Sequence, residues 1–403
     1  MDQLMKQRFK FISIITLLFF FLLIPKVQAA GDQQNGAANP SPQSLVDTQL
    51  KSLDLTELKK FWGDITSKYG GFLPESQKGS LYDFIKEGKN FSFNQWGQGL
   101  LKFVFQEFVA NGKLLGSLIL LTVFSMFLQS LQNSFEKSTV SKVAYSIVYM
   151  VLVILALNSF HIAMDYTNET IGTMISFVLA LIPLLLALMA ASGGIVSASF
   201  FHPVILFLMN TSGLLIQYVI LPLLFLGALL SIVSTISENY KVTQLAGLLR
   251  NWSIGLMGLF LTVFLGVISV QGASTAVADG ITIKTAKFIT GNFIPVIGRM
   301  FTDATDTVIS ASTLLKNSVG IAGVAILLII VAFPAIKILM ISFIYKFAAA
   351  LLQPLGGGPI IKCLDIISKS VIYVFAALAI VSLMFFLSIT VIIAAGNVTM
   401  MMR

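Results

Sequence analysis

Little of this chain is suited to chemistry, and what there is gathers in one segment. Between Ile283 and Asp303, the residues Lys284, Lys287, Gly291, Pro295, Gly298, Arg299 and Thr302 recur at helical spacing, with Phe288, Ile289, Phe293, Val296 and Met300 on the opposite side. Lys284, Lys287, Asn292, Arg299 and Asp303 are its charged and amide side chains, the polar membrane face of the chain. A charge at membrane depth costs about 2.5–3.5 kcal/mol on insertion scales, so such residues face a bundle interior or a water-filled cavity. The chemistry open to them is to line a polar path or to dock a partner. The competing reading is a surface-lying or re-entrant helix whose charges stay wet.

Other motifs point away from catalysis. The run Pro354-Leu355-Gly356-Gly357-Gly358-Pro359 lacks the Gly-Lys-Ser/Thr ending and the preceding strand of a phosphate-binding loop, so it reads as a flexible or re-entrant turn. Ala191-Ser192-Gly193-Gly194 is a similar small-residue break. His161 and His202 are the only histidines and lie in different apolar segments; His202, beside Pro203, reads as a capped helix end. The single Cys363 excludes an intrachain disulfide and a cysteine metal cluster. There is no His-Glu-x-x-His, no Gly-x-Ser-x-Gly and no intramembrane aspartate pair; Asp165 and Asp279 fall at loop edges. No catalytic, metal-binding or cofactor-binding residue is expected.

The elements that must position the polar segment are set by the solvent. Of the 403 residues 56% are hydrophobic and 11% charged, with mean hydropathy +0.90, which describes a chain dissolved mostly in lipid. The net charge of +8 comes from Lys and Arg scattered near the ends of apolar segments, a membrane-anchoring pattern that makes lipid a partner and excludes nucleic acid.

Residues 1–30 have the three parts of a signal peptide: Lys6, Arg8 and Lys10, the apolar run Phe11 to Ile24, then Val27-Gln28-Ala29-Ala30; an uncleaved anchor is the alternative. Residues 31–44 read as a disordered linker. Residues 45–112 predict a small helical extracytoplasmic region. Asp54 with Glu57 forms a capping box before a first helix stopped by Gly70-Gly71, Ser80 caps a second, and Ser92 with Gln95 caps a third. That third helix, with Phe93, Trp96, Leu100, Phe103 and Val104 on one side, either lies at the membrane surface or packs on its neighbours.

Apolar segments follow near Leu114–Leu131, Val143–Ala163, Ile171–Ala191, Pro203–Ile236, Ile254–Val270, Val319–Tyr345 and Ser370–Ala395, with Ile283–Thr302 a weaker, charged eighth. The fold class is therefore an all-α polytopic membrane protein with about eight spans. A constant offset of 112 (295 minus 183) carries Pro183 onto Pro295, Pro222 onto Pro334, Val196 onto Val308 and Leu248-Leu249-Arg250 onto Ile360-Ile361-Lys362. Two leading spans over 113–165 would then precede two three-span units, 171–270 and 283–395. An odd span number per unit makes them inverted, with Pro183, Pro222, Pro295 and Pro334 as helix kinks.

Charge supports eight spans in part: Lys137, Lys142, Lys284, Lys287, Lys346, Lys362 and Lys369 fall on the cytoplasmic side, and Asp165, Glu169, Asp303 and Asp306 outside. Arg250, Lys241 and Lys316 break the bias. Inverted repeats with broken helices suit a secondary transporter, the rival to a non-enzymatic component of a transport or channel assembly.

The stretches His202-Pro203-Val204-Ile205-Leu206-Phe207, Val263 to Ala273, Thr285-Ala286-Lys287-Phe288 through Asn292 to Phe301, and Leu351-Leu352-Gln353-Pro354-Leu355-Gly356 resemble the stage III sporulation protein AE family of endospore-forming bacteria, along nearly the whole chain. The resemblance implies a product of the stage III A sporulation operon in the mother-cell membrane surrounding the forespore. It implies work with the other operon proteins and forespore protein Q, in a channel-like complex that sustains late forespore gene expression. A permease-like role has been suggested for the family, and it brings no catalytic residues.

Overall fold

The computed structural model describes residues 46–401 except 47, 52, 75–78, 88–92, 135–138, 237–241, 294–296 and 356–357. At 86, 87, 93, 131–134, 139–142, 202, 236, 273–277, 283, 286, 287, 289–293, 297–305, 355 and 396–401 it describes the backbone alone. The expected signal peptide and linker, the cap at Ser92, the residues Lys137 and Lys241, and Pro295 lie outside the described residues.

Three short helices, Thr56–Tyr69, Leu81–Glu87 and Phe93–Ala110, precede the long ones. In α1 (Thr56–Tyr69), Leu58, Trp62, Ile65 and Tyr69 recur every three to four residues and are buried, a single apolar stripe. Its start differs from the expected capping box: Leu55 takes the cap position and makes no side-chain bond, while Asp54 Oδ1 accepts from the Thr56 N–H at 3.1 Å. In α2 (Leu81–Glu87) the expected cap forms reciprocally, with the Asp83 N–H donating to Ser80 Oγ and the Ser80 N–H to Asp83 Oδ2. Trp62 closes α1 onto α2 by stacking on Phe84 and donating Nε1–H to the Gly79 carbonyl. In α3 (Phe93–Ala110) one face is buried through Trp96 and Phe103, so packing on neighbours holds for that side. Leu101, Phe105 and Val109, spaced four apart, are exposed on the other.

The bundle consists of α4 (Gly112–Ser134), α5 (Thr139–Ala191), α6 (Ile195–Leu215) running through a π turn (Ile216–Ile220) into α7 (Leu221–Ile236), α8 (Thr243–Phe293), α9 (Ile297–Leu352) and α10 (Pro359–Met401). The π turn has a local cause. Pro222 has no N–H, and its ring would collide with the carbonyl four residues back; the wide turn, closed by the Leu221 N–H on the Ile216 carbonyl, makes room. Pro183 and Pro334 lie inside unbroken helices.

Contacts along α5 fix the direction of its partners. On α7, Thr235 bonds Tyr149, and on α6 a Cβ at Gly213 would come within 2.6 Å of Ile175. On α9, Tyr345 donates to Ser159 at 2.8 Å, Lys337 lies over the Tyr166 ring, and a Cβ at Gly323 would come within 2.5 Å of Leu181. Rising numbers on α5 meet falling numbers on both, so α6–α7 and α9 run the same way. The returning helices match too: Gln271 of α8 reaches back to Phe200 of α6, and Lys316 of α9 donates to the Ile393 carbonyl of α10.

Two expectations are thereby corrected. The turn placed between Ala163 and Ile171 does not form. Those residues contain no Gly or Pro, and the Thr167 and Thr170 hydroxyls bond back to the Ala163 and Tyr166 carbonyls within a continuous 53-residue helix. The repeated units are consequently not inverted three-span units; α6–α7 with α8, and α9 with α10, are two helical hairpins of the same orientation. Among the described residues six helical stretches are long and apolar enough to cross a membrane, where about eight spans are expected: Gly112–Ser130, Val143–Ala191, Ile195–Thr235, Thr243–Gly272, Asp306–Leu352 and Pro359–Ala395. Both hairpins close at one end of the bundle, which carries Arg250, Lys346, Lys362 and Lys369. Arg250 no longer breaks the charge bias, whereas Lys284 and Lys287, near the end of α8, now lie at the opposite end.

Candidate functional site: a charged cleft beside Pro334

A cleft of about 760 Å³ lined by polar and apolar groups lies where α1 meets α5 and α9. Aromatic packing sets its walls. Tyr69 stacks on Phe333 with ring centroids 4.1 Å apart and planes 7° from parallel, and Phe103 of α3 meets the same ring edge-on at 4.8 Å. Phe61 meets Phe177 of α5 edge-on at 5.5 Å. Phe333 is fully buried, and the next residue is Pro334. Without an N–H at Pro334 the Ile330 carbonyl loses its helical donor, and both residues line the cleft.

Charges of both signs line the same space. Lys68 of α1 pairs with Glu169 of α5 at 3.3 Å, but both side chains are more than half exposed, so the pair is worth about 0–1 kcal/mol. Lys337 is held more firmly: it lies 3.8 Å from Glu107 of α3 and 5.1 Å from the centroid of Tyr166, with both charged side chains less than a quarter exposed. Burial pushes the Tyr69 phenol up to about 12, and the nearby Glu169 and Glu107 carboxylates add to the rise.

The arrangement brings paired charge and aromatic surface together. Among the described residues no group of three His, Cys, Asp or Glu could hold a metal ion. Its chemistry is that of docking: α1 and α3 are latched onto the bundle by Lys68–Glu169, Glu107–Lys337 and the Tyr69–Phe333–Phe103 cluster.

Of the residues singled out in the sequence, Pro334 lies in this cleft. Lys284 is exposed on α8, well away in sequence. Lys287 and Asn292 continue α8, and Arg299 and Asp303 begin α9; their side chains are outside the described residues. Asp279, expected at a loop edge, is instead fully buried within α8 and accepts from the Val196 and Ser197 N–H groups at the start of α6. The Ala191–Gly194 break is a tight turn with Gly193 at φ 93°. His202 and Pro203, read as a helix end, fall inside α6. The cleft charges carry one sequence signal: Lys337 stands one turn after a proline within an otherwise apolar run.

Among the described residues, six long apolar helices with short helices latched to their side make a multi-pass, helical membrane protein. The chain belongs to the stage III sporulation protein AE family: the family model of that description matches residues 76–396. A curated stage III sporulation protein AE from Bacillus subtilis (strain 168) is 67% identical over 398 residues, spanning 98% of this chain and 100% of that protein. No solved structure matches the chain.

Proposed function

We propose that the chain is an integral membrane component of a sporulation channel or transport complex linking mother cell and forespore, needed for late forespore gene expression. It would sit in the mother-cell membrane around the forespore with the other stage III A operon proteins and forespore protein Q. The observation that carries the assembly reading is a mismatch of length. The apolar run Val143–Ala191 is 49 residues of continuous helix, about 73 Å at 1.5 Å per residue, while a bilayer core is about 30 Å thick. Large apolar side chains stay exposed far from the hairpin turns, among them Ile195, Phe200, Phe207 and Leu314. A bilayer covers one end of such a bundle, and other proteins cover the rest.

The Lys284, Lys287, Asn292, Arg299 and Asp303 face belongs to the end away from the hairpin turns, and in this reading it meets a partner or lines a path through the complex. The N-terminal helices would be extracytoplasmic, facing the space between the two membranes, and the hairpin end cytoplasmic, in keeping with its lysines and arginine. The rival secondary transporter loses the inverted repeats that favoured it.

The test is recruitment. Membranes of sporulating cells carrying a tagged chain are solubilised and the co-purifying operon proteins identified, with and without residues 45–90. Loss of partners on deletion is the expected result. Unchanged recruitment, or substrate uptake by the purified protein alone in liposomes, overturns the reading.

A further inference from the structure

We propose that the outward face shared by α9 and α10 near the hairpin turn binds the phosphate headgroup of an anionic phospholipid. The centre of this face is a shared carboxylate. Lys346 of α9 bonds Asp365 Oδ1, and Lys369 of α10 reaches Oδ2 at 2.6 Å. Two ammonium groups from different helices are thus fixed side by side, yet both lysine side chains are 60% exposed. Each ammonium has three donors and spends one on Asp365, leaving the others outward. Two positive charges sharing one negative leave a single charge uncompensated, and exposed Lys362, one turn before Asp365, adds another.

What surrounds the charges selects a lipid. Leu339 and Phe343 precede Lys346 on its own helix face, and Ile372 stands one turn beyond Lys369; all three are 40–49% exposed. The ammonium pair is therefore set in an apolar surface, within helical stretches apolar enough to span a membrane. Lys346 and Asp365 each lie six residues inside their helix ends, about 9 Å, a depth at which headgroup phosphates meet acyl chains. Basic pockets between spanning helices are known to take acidic headgroups. A soluble acidic protein would satisfy the charges and leave Leu339 and Phe343 uncovered.

The probe is phosphatidylglycerol against phosphatidylcholine of the same acyl chains. Both are offered in equal amounts to the full-length purified protein, and retained lipid is counted by native mass spectrometry. Wild type should retain phosphatidylglycerol preferentially. A membrane-proximal Lys contributes about 1 kcal/mol toward an anionic lipid, so each neutralisation should cut the preference about fivefold and K346Q/K369Q roughly twenty-five-fold. The charge-keeping K346R/K369R should hold the preference, which separates loss of the site from loss of the fold. K60Q, on exposed α1, should change nothing. Equal retention of the two lipids by wild type, or an undiminished preference in K346Q/K369Q, overturns the proposal. So does loss of an acidic protein partner in K346Q/K369Q with lipid retention unchanged.

Discussion

Asp279 is a buried carboxylate whose partners are backbone donors rather than cations. Gly193, at positive φ, swings the chain back after α5, and the first N–H groups of α6 would have no acceptor in that buried corner. Asp279 supplies one from α8, at 2.9 Å to Val196 N and 3.2 Å to Ser197 N. Asp279→Ala leaves both donors without a partner and should lower stability by about 1–3 kcal/mol. Asp279→Asn, which keeps one acceptor oxygen, should cost less. Thermal unfolding of the detergent-solubilised protein ranks the two, and equal transitions would show that the cap contributes nothing. Tyr69 makes a second prediction at this scale. Its phenol is raised in the folded protein from 10 to about 12, so between those values the unfolded chain has released the proton and the folded one still holds it. Stability is complete below about pH 10 and falls as pH rises toward about 12. Tyr69→Phe should flatten that slope in an alkaline denaturation series, and a slope that persists would place the titrating group elsewhere. Neither site was legible in the sequence in full. Asp279 lies 82 and 83 residues from its donors, and nothing local distinguishes a carboxylate that caps a distant helix from one at a loop edge.

At the scale of elements, sequence signals succeeded where the physics is local. The Ser80–Asp83 exchange, the stop after Tyr69 and the Gly193 turn depend on residues within a few positions of one another. The signals misled at residues 164–170, where Asp165 and Glu169 read as a solvent loop between spans. Hydropathy registers that a segment is polar, but not that another element will cover it. Here Lys68 of α1, 101 positions away, pairs with Glu169, and Gln217 donates to the Asn168 carbonyl, so these groups of α5 find partners without leaving the helix. A proline tests this directly. Asp165 is exposed and its side chain points away from the core, so Asp165→Ala should be near neutral. Asp165→Pro removes a helical hydrogen bond and presses its ring against the His161 carbonyl, a cost of about 3 kcal/mol or more. The comparison is read from the thermal transition of each variant. Equal stabilities would mean that the two halves of α5 are joined by a loop after all.

The error at residues 164–170 spread to the whole molecule, because one missing turn reverses everything after it. With that turn, three spans per unit make the two units antiparallel; without it, each unit is a two-helix hairpin and both point the same way. The offset of 112 that joins Pro222 to Pro334 is compatible with either, since aligned positions carry no direction through a membrane. The hairpin arrangement also redistributes charge, sending Lys284 and Lys287 to the end away from the turns. In the hairpin arrangement Arg250 joins Lys346, Lys362 and Lys369 at the turn end, while α1, bearing exposed Lys59 and Lys60, packs toward the other end, where Gln49 donates to Ser312. A bundle with even crossings and its basic turns together should keep those turns in the cytoplasm, with α1 on the opposite side. The single cysteine makes the measurement clean: Cys363 is fully buried and gives little background to a membrane-impermeant thiol reagent. In right-side-out vesicles Lys60→Cys should label at once, and Lys362→Cys only after the membrane is permeabilised. In inverted vesicles the order should exchange. Labelling of both positions from the same face would put an even number of crossings between α1 and Lys362, where the bundle has five, α4, α5, α6–α7, α8 and α9. Arg250→Cys separates the two arrangements: labelling together with Lys362→Cys keeps the hairpins parallel, and labelling together with Lys60→Cys would restore the inverted three-span units.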